Sequence, residues 1–390
     1  MNKYLSFFAG TILLTGLTVA ATPAEDMLAA AEKSEDGLVA MAEKANNTVD
    51  KDGKKVLDPV AYEALFLAFQ FAEPNARNYD LAGYPYKALS KVRRNYKMPA
   101  IDEFLPRMLA HSSPNVRANA LSYIKSFLGV SKTNLERTNA MLTNETNPVV
   151  IAALIKALAN EGDRQPEVGA FLVRCLDNPD PIIRYVAAIH SSTSWNWKNQ
   201  ALADKLADLI VNEKNADTRK YICEYAGRLN NDVIVDAYSK VIFTEPDTRI
   251  QNAAIKGLLL TWWSYPLHNT DRQKGYELSL KFFREFKPNS KVPNSNALFP
   301  LTSCASGTKA FDKWKEKATW YKPEDVATLF LPYATDKDYP NSIRQYAVKI
   351  LAYNGYTKEQ IQELVTKLAE EGLLSKFDVS SLERFIKGLK

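Results

Sequence analysis

Residues 177–190 read DNPDPIIRYVAAIH. An Asp-Pro pair followed by two isoleucines and an arginine is how a helix begins. Pro181 has no backbone N–H, so it suits the first turn, where that donor would go unpaired anyway. Asp180, just before it, is placed to accept from the free N–H groups as an N-cap. Ile183, Ala187 and Ala188 then fall on one face at helical spacing. The preceding VGAFLVRCLDN (168–178) is a second short amphipathic segment. Residues 168–190 therefore read as two helices joined by an Asn-Pro-Asp-Pro turn.

The pattern recurs along the chain. It appears as SSPNVRANALSYIKSFLG (112–129), TNPVVIAALIKALANEG (146–162), NADTRKYICEYAGRLN (215–230), EPDTRIQNAAIKGLLL (245–260) and YPNSIRQYAVKILAYNG (339–355). Each copy has Pro, Asp or Asn, then an apolar residue or Thr, often Arg, then small residues. Aligned on Arg117, Ile151, Arg184, Arg219, Gln251 and Arg344, the copies are 34, 33, 35, 32 and 93 residues apart. The last interval is close to three repeat lengths. A period in the low thirties with two helices per unit means stacked hairpins, because one hairpin cannot bury its apolar face alone. The Trp, Gly and Tyr pattern of tetratricopeptide repeats is missing.

On these residues the chain resembles the HEAT/armadillo-like repeat family, in particular short bacterial HEAT repeats. The resemblance rests on the Asp/Asn-Pro turn and on Val116-Arg117 with Ala120, Ile183-Arg184 with Ala187, and Ile343-Arg344 with Ala347. Ile151 and Gln251 depart from the Arg, and Thr218 from the aliphatic residue. It covers about residues 100–265 and 322–371. The resemblance implies an all-α fold, a right-handed α-solenoid (α/α superhelix) of HEAT-like helical hairpins with an irregular N-terminal cap. It further implies that the repeated arginines pair with turn acids of neighbouring repeats. As surface pairs, these are each worth under ~1 kcal/mol.

Composition agrees with an all-helical reading. Only 15 of 390 residues are glycine, while 46% are hydrophobic and 24% charged, which excludes a largely disordered chain. The first residues, MNKYLSFFAGTILLTGLTVAATPA, hold Lys3 as the only charge before Glu25, an apolar run from about Leu5 to Leu17, and then small residues. This is the layout of a secretory signal peptide, and the apolar run is short for a span of ~20 residues. Cleavage is expected near Ala21, with Ala20 and Ala24 as alternatives. The protein is then periplasmic or secreted, and not an integral membrane protein after cleavage. Removing Lys3 from the 50 basic residues leaves 49 against 45 acidic. So mild a balance, together with export, argues against nucleic acid.

The expected organisation is a signal peptide (1–21), an N-terminal helical cap (22–100), HEAT-like repeats (101–265), a degenerate repeat region (266–321) with a long loop at 287–308, and a C-terminal repeat with capping helices (322–390). Within the cap, 25–46 reads as helix, 47–57 as a polar loop, and 58–73 as an apolar helix opened by Asp58-Pro59. Asn354-Gly355 reads as a helix C-cap.

Candidate chemistry is thin. The three histidines, His111, His190 and His268, are scattered and lack metal-ligand spacing. Cys175, Cys223 and Cys304 make no disulfide framework. Cys304, in TSCASG, lacks a base placed beside it. There is no Gly-rich phosphate loop and no nucleophile elbow. No enzyme activity, metal or cofactor is expected.

Two binding readings remain. Counting from the Arg position, offsets +1, +5 and +8 of the second helices hold Lys125, Lys156, Tyr185, Lys220, Lys256 and Lys349, with Glu224 as the exception. The family resemblance places second helices on the inner surface, which implies a mildly basic groove for an acidic or extended polypeptide. The favoured function is a non-enzymatic scaffold that binds protein partners there. The alternative is a carbohydrate-binding or carbohydrate-acting protein that uses an aromatic patch at Trp195, Trp197, Trp262 and Trp263.

Overall fold

The structure is a computed structural model that describes residues 21–31, 34–92, 101–125, 132–262, 272–285 and 318–389. The expected signal peptide lies outside the described residues, as do loop 287–308, His268, Trp263 and Cys304. Contacts divide the chain into two compact units, residues 1–73 with 81–116, and residues 74–80 with 117–390.

The first unit opens with α1 (Pro23–Ala30) and α2 (Glu35–Asn46). The helical reading of 25–46 is met by these two helices. Ser34 restarts the chain as an N-cap, its hydroxyl accepting from the Gly37 N–H. The polar loop then forms a short hairpin, β1 (Thr48–Val49) and β2 (Lys55–Val56). Asp58 caps α3 (Pro59–Leu67), and Pro59 fills its first turn as the sequence requires. The apolar helix expected over 58–73 ends early, passing into a 3-10 turn at 68–71. Two further two-residue strands, β3 (Glu73–Pro74) and β4 (Leu81–Ala82), form the stem of a second hairpin. α4 (Tyr84–Ser90) and α5 (Ile101–Leu109) follow. Edge-on rings of Tyr62, Phe66 and Phe104 knit α3 to α5, with Leu38, Leu65 and Leu105 buried around them.

The boundary between the units falls within α6 (Pro114–Tyr123). Beyond it come α7 (Lys132–Asn144), α8 (Pro148–Leu158), α9 (Pro166–Leu176), α10 (Pro181–Ser191), α11 (Gln200–Asn212), α12 (Ala216–Tyr225), α13 (Asp232–Val241), α14 (Thr248–Trp262) and α15 (Gln273–Glu285). Helices α7, α9, α11, α13 and α15 pack in series as one layer. Helices α8, α10, α12 and α14 pack in series as the other. This is the two-layered stack of hairpins, an all-α solenoid, that the period called for. Asp180 caps α10 by accepting from the Ile182 N–H at 2.8 Å, and Asn147 and Asn215 do the same for α8 and α12. Where α12 meets α14 the backbones nearly touch. A Cβ on Gly257 would lie 2.0 Å from the Cys223 carbonyl oxygen, and one on Gly227 would lie 1.9 Å from that of Gly257. After residue 318 come α16 (Pro323–Thr335), α17 (Asn341–Tyr353), α18 (Lys358–Glu370) and α19 (Lys376–Lys387). Gly355, with φ of 103°, turns the chain out of α17 just past Asn354.

Three of the four repeated arginines pair with turn acids, and these reach one repeat ahead. Arg117 holds Glu145 (Nε–Oε2 2.9 Å), Arg184 holds Glu213 (2.6 Å), and Arg219 holds Glu245 (Nη1–Oε2 2.8 Å). Each glutamate also accepts from backbone N–H groups at the start of the next second helix, those of Asn147, Asn215 and Asp247. Each rung thus ties one repeat's second helix to the cap of the next. These are not surface pairs, because the three carboxylate side chains are only 9%, 2% and 6% exposed. Removing an arginine would strand a buried carboxylate, at a cost of about 3–5 kcal/mol instead of the fraction expected from exposed pairs. Arg219 also donates to the Ile210 carbonyl, and Gln251 donates to the equivalent Ile242 carbonyl. The glutamine therefore keeps one arm of the arginine's role and gives up the ion pair. Arg344 is buried and donates to the carbonyls of Ala334, Asp336, Tyr339 and Leu373. Burial lowers its pKa.

Candidate functional site

The second helices bring polar side chains into one strip in the second unit. Lys156 projects from α8, and Tyr185 and His190 from α10. Tyr221 and Glu224 stand on α12, and Lys256 on α14. The Tyr185 and Tyr221 rings meet at 4.7 Å between centroids, and Lys256 is paired with Glu224 at 2.6 Å. Glu224 and Lys256 occupy the same offset, +5, in consecutive repeats. Regular stacking therefore sets them side by side, as it does the arginine rungs.

Several lysines of the expected mildly basic groove have partners within the fold. Lys256 is neutralised by Glu224, Lys156 is paired with Asp80 at 2.7 Å, and Lys220 sits 4.9 Å from the Tyr221 ring centroid. Lys125, just past α6, is close enough to Lys156 for the two charges to repel. Loss of solvation, then that repulsion, lowers its pKa. Lys349 stands on α17, over the rings of Tyr346 and Phe385, and is not part of the strip.

His190 joins this set, although it had no motif around it. Burial first, then the charges of Lys125 and Lys156, push its pKa down to about 4, with Asp80 opposing. It is therefore a neutral imidazole at physiological pH.

The most informative feature is what already lies on the strip. Residues 74–80, the tip of the β3–β4 hairpin, are held against α8 and α10. Lys156 Nζ donates to the Asn78 carbonyl at 2.7 Å as well as pairing with Asp80. The Tyr79 hydroxyl donates to Asp180 Oδ2 at 2.6 Å, which raises the phenol's pKa to about 12. Asp180 thus uses one oxygen to cap α10 and the other to hold the tip. The tip is tightly wound. Asn75 takes N–H bonds from Arg77 on its side chain and from Tyr79 on its carbonyl, and Asn78 bonds Asp80 at 2.6 Å. Tyr79 adopts φ of 57°, a left-handed conformation that a bulky side chain adopts rarely. Nothing in the repeat pattern marks Tyr79 or Asp80, since they lie in a turn 101 and 76 residues before their partners Asp180 and Lys156.

Of the expected aromatic patch, Trp195, Trp197 and Trp262 are among the described residues. Trp262 is 2% exposed, donates to Ser279 Oγ at 2.9 Å and packs edge-on against Tyr276, so its faces are committed to the core between α14 and α15. Trp195 is 45% exposed and lies beside the Arg164 guanidinium, while Trp197 is half-buried beside Lys198. The thiols of Cys175 and Cys223 are buried and pushed up to about 12 by that burial. Such thiols are not nucleophiles at neutral pH. Among the described residues, no helix is long and apolar enough to cross a membrane.

Residues 101–190 match the family of HEAT repeats. This segment includes Arg117, Arg184, Lys125, Lys156 and Tyr185, that is, one whole rung of the ladder, the arginine of the next and the first part of the strip. No curated protein matches the chain.

Proposed function

We propose that this chain is an exported, non-enzymatic scaffold that binds a protein partner along the strip on α8, α10, α12 and α14. The observation that supports this most is the tip 74–80, a stretch of polypeptide already held there through its backbone and side chains. A surface that holds its own chain by a lysine and a carboxylate offers the chemistry that a partner segment needs. The HEAT repeat match points the same way, since such repeats generally serve protein interaction. Export is read from the apolar run Leu5–Leu17 and the small residues after it.

The test is affinity capture from the native envelope fraction, comparing the mature protein with a Lys125→Gln/Lys156→Gln/Lys256→Gln variant. Stoichiometric recovery of one or two proteins by the first, and their loss with the second, is the expected result. Unchanged recovery by the triple variant would remove the strip from the reading. Mass spectrometry of the exported protein should find an N-terminus near Thr22.

A further inference from the structure

The hairpin tip does more than show that the strip can hold polypeptide. Its contacts spell out a recognition code. We propose that residues 75–80 (NARNYD) are a built-in stand-in for the partner, and that the partner engages the strip with a turn bearing a tyrosine next to a carboxylate. This rests on the protein-binding reading of the strip and specifies its ligand. The partner's turn replaces the tip on Lys156 and Asp180, so binding requires the tip to leave.

Three independent observations converge on this. The first is complementarity. Lys156 reads a carboxylate and a backbone carbonyl, those of Asp80 and Asn78, while Asp180 reads a phenol hydroxyl, that of Tyr79. An Asp180 carboxylate repels an acid and rewards a donor, and Lys156 does the reverse. The order of the two groups along a bound segment is therefore fixed. The second is preorganisation. Tyr79 holds a left-handed backbone at φ of 57°, set by the turn's own hydrogen bond from its N–H to the Asn75 carbonyl, so its hydroxyl is presented in a fixed geometry. The third is the shallow hold. The tip's other hydrogen bonds are internal, from Asn75, Asn78 and Asp80 to its own backbone and side chains, so the turn survives undocking. Asp80 itself is exposed. Only a few bonds must be exchanged, and a segment that copies them can replace them one for one.

The experiment uses the full mature chain and a fluorescein-labelled peptide of residues 73–82, EPNARNYDLA. Binding is read by fluorescence anisotropy. In the native chain the tip competes. If it is docked nine-tenths of the time, the apparent affinity for the peptide falls about tenfold. A Tyr79→Phe/Asp80→Asn chain should therefore bind the peptide about tenfold more tightly than the native chain. Adding Lys156→Gln to that variant, or using a peptide with the same Phe and Asn replacements, should abolish binding. Should the double variant fail to fold, Asp80→Asn alone, at an exposed position, should give a smaller gain in the same direction. Equal affinity for native and folded tip variants, or binding indifferent to Lys156→Gln, overturns the proposal. The scaffold reading is judged separately. Peptide binding with no envelope protein captured upholds the stand-in and sinks the scaffold. Capture that ignores the tip substitutions keeps the scaffold and overturns the stand-in.

Discussion

Arg184 grips Glu213 with two parallel bonds, Nε to Oε2 at 2.6 Å and Nη2 to Oε1 at 2.7 Å, across 29 residues of chain. The carboxylate is nearly enclosed and also accepts from the Asn215 N–H. Burial alone would raise the Glu213 pKa, but the Arg184 fork and the backbone N–H groups of Asn215 and Lys214 hold it below the usual range. Arg184→Met should destabilise the chain by about 3–5 kcal/mol, because it leaves the carboxylate buried and unpaired. Arg249→Met, at an exposed pair with Asp247, should leave urea midpoints unchanged. A cycle with Glu213→Gln should recover much of the loss. If Arg184→Met behaved like Arg249→Met, the ladder would not bear on stability. The glutamate's share is fully present above its unfolded pKa and is lost as pH falls through its lowered folded value.

The crossing of α12 and α14 is set by absent side chains. Gly257→Ala would put a methyl group 2.0 Å from a carbonyl oxygen and 2.2 Å from the Tyr238 hydroxyl. Neither can move freely, since Tyr238 is buried and donates to that same Cys223 carbonyl at 2.7 Å. Overpacking of this kind costs about 1–3 kcal/mol or more, although alanine is the better helix former. Thermal unfolding should show a lowered midpoint. A raised one would mean that the helices can slide apart at no cost.

His190 gives the strip a pH dependence of known sign. Its folded pKa of about 4 lies below its ordinary 6.5. Between these values the unfolded chain takes up a proton that the folded chain refuses, so stability falls as pH drops through that window. Lys125 and Lys156 steepen the loss and Asp80 softens it. Above pH 6.5 the group contributes nothing. His190→Gln should flatten the stability profile between about pH 6.5 and 4. A profile identical to the parent's would show that the imidazole titrates normally.

Cys175 and Cys223 should stay silent toward a thiol reagent at pH 8, being 4% and 0% exposed with raised pKa values. A Cys304→Ser chain should incorporate almost no label until denatured, then two equivalents. Rapid labelling of the native variant would mean that α9 or α12 opens locally.

Much of the second unit was legible in one stretch, DNPDPIIRYVAAIH. Caps such as Asp180, first-turn prolines such as Pro181 and buried faces such as Ile183 and Ala187 act within a few residues, so local chemistry writes them directly. The spacing of Arg117, Arg184 and Arg219 foretold stacking, and the stacking then supplied their glutamate partners. Counting lysines picked out Lys156, Tyr185 and Lys256, but not the acids that lie beside them. Whether a lysine stays free depends on what faces it from the next repeat, here Glu224, or from a distant turn, here Asp80. Trp262 shows the same limit. A sequence marks a tryptophan as large and amphipathic, and packing alone decides whether its faces are open.

The sequence by itself determined helix starts, the repeat period and the register of the arginine rungs, because these follow from hydrogen-bond capping and helical periodicity over short spans. Only the tertiary structure decided what lies on the strip. Tyr79 and Asp180 meet across 101 residues through a single hydroxyl bond. Such a contact leaves no periodic trace in the sequence, because it depends on where a turn happens to be carried by the packing of everything between.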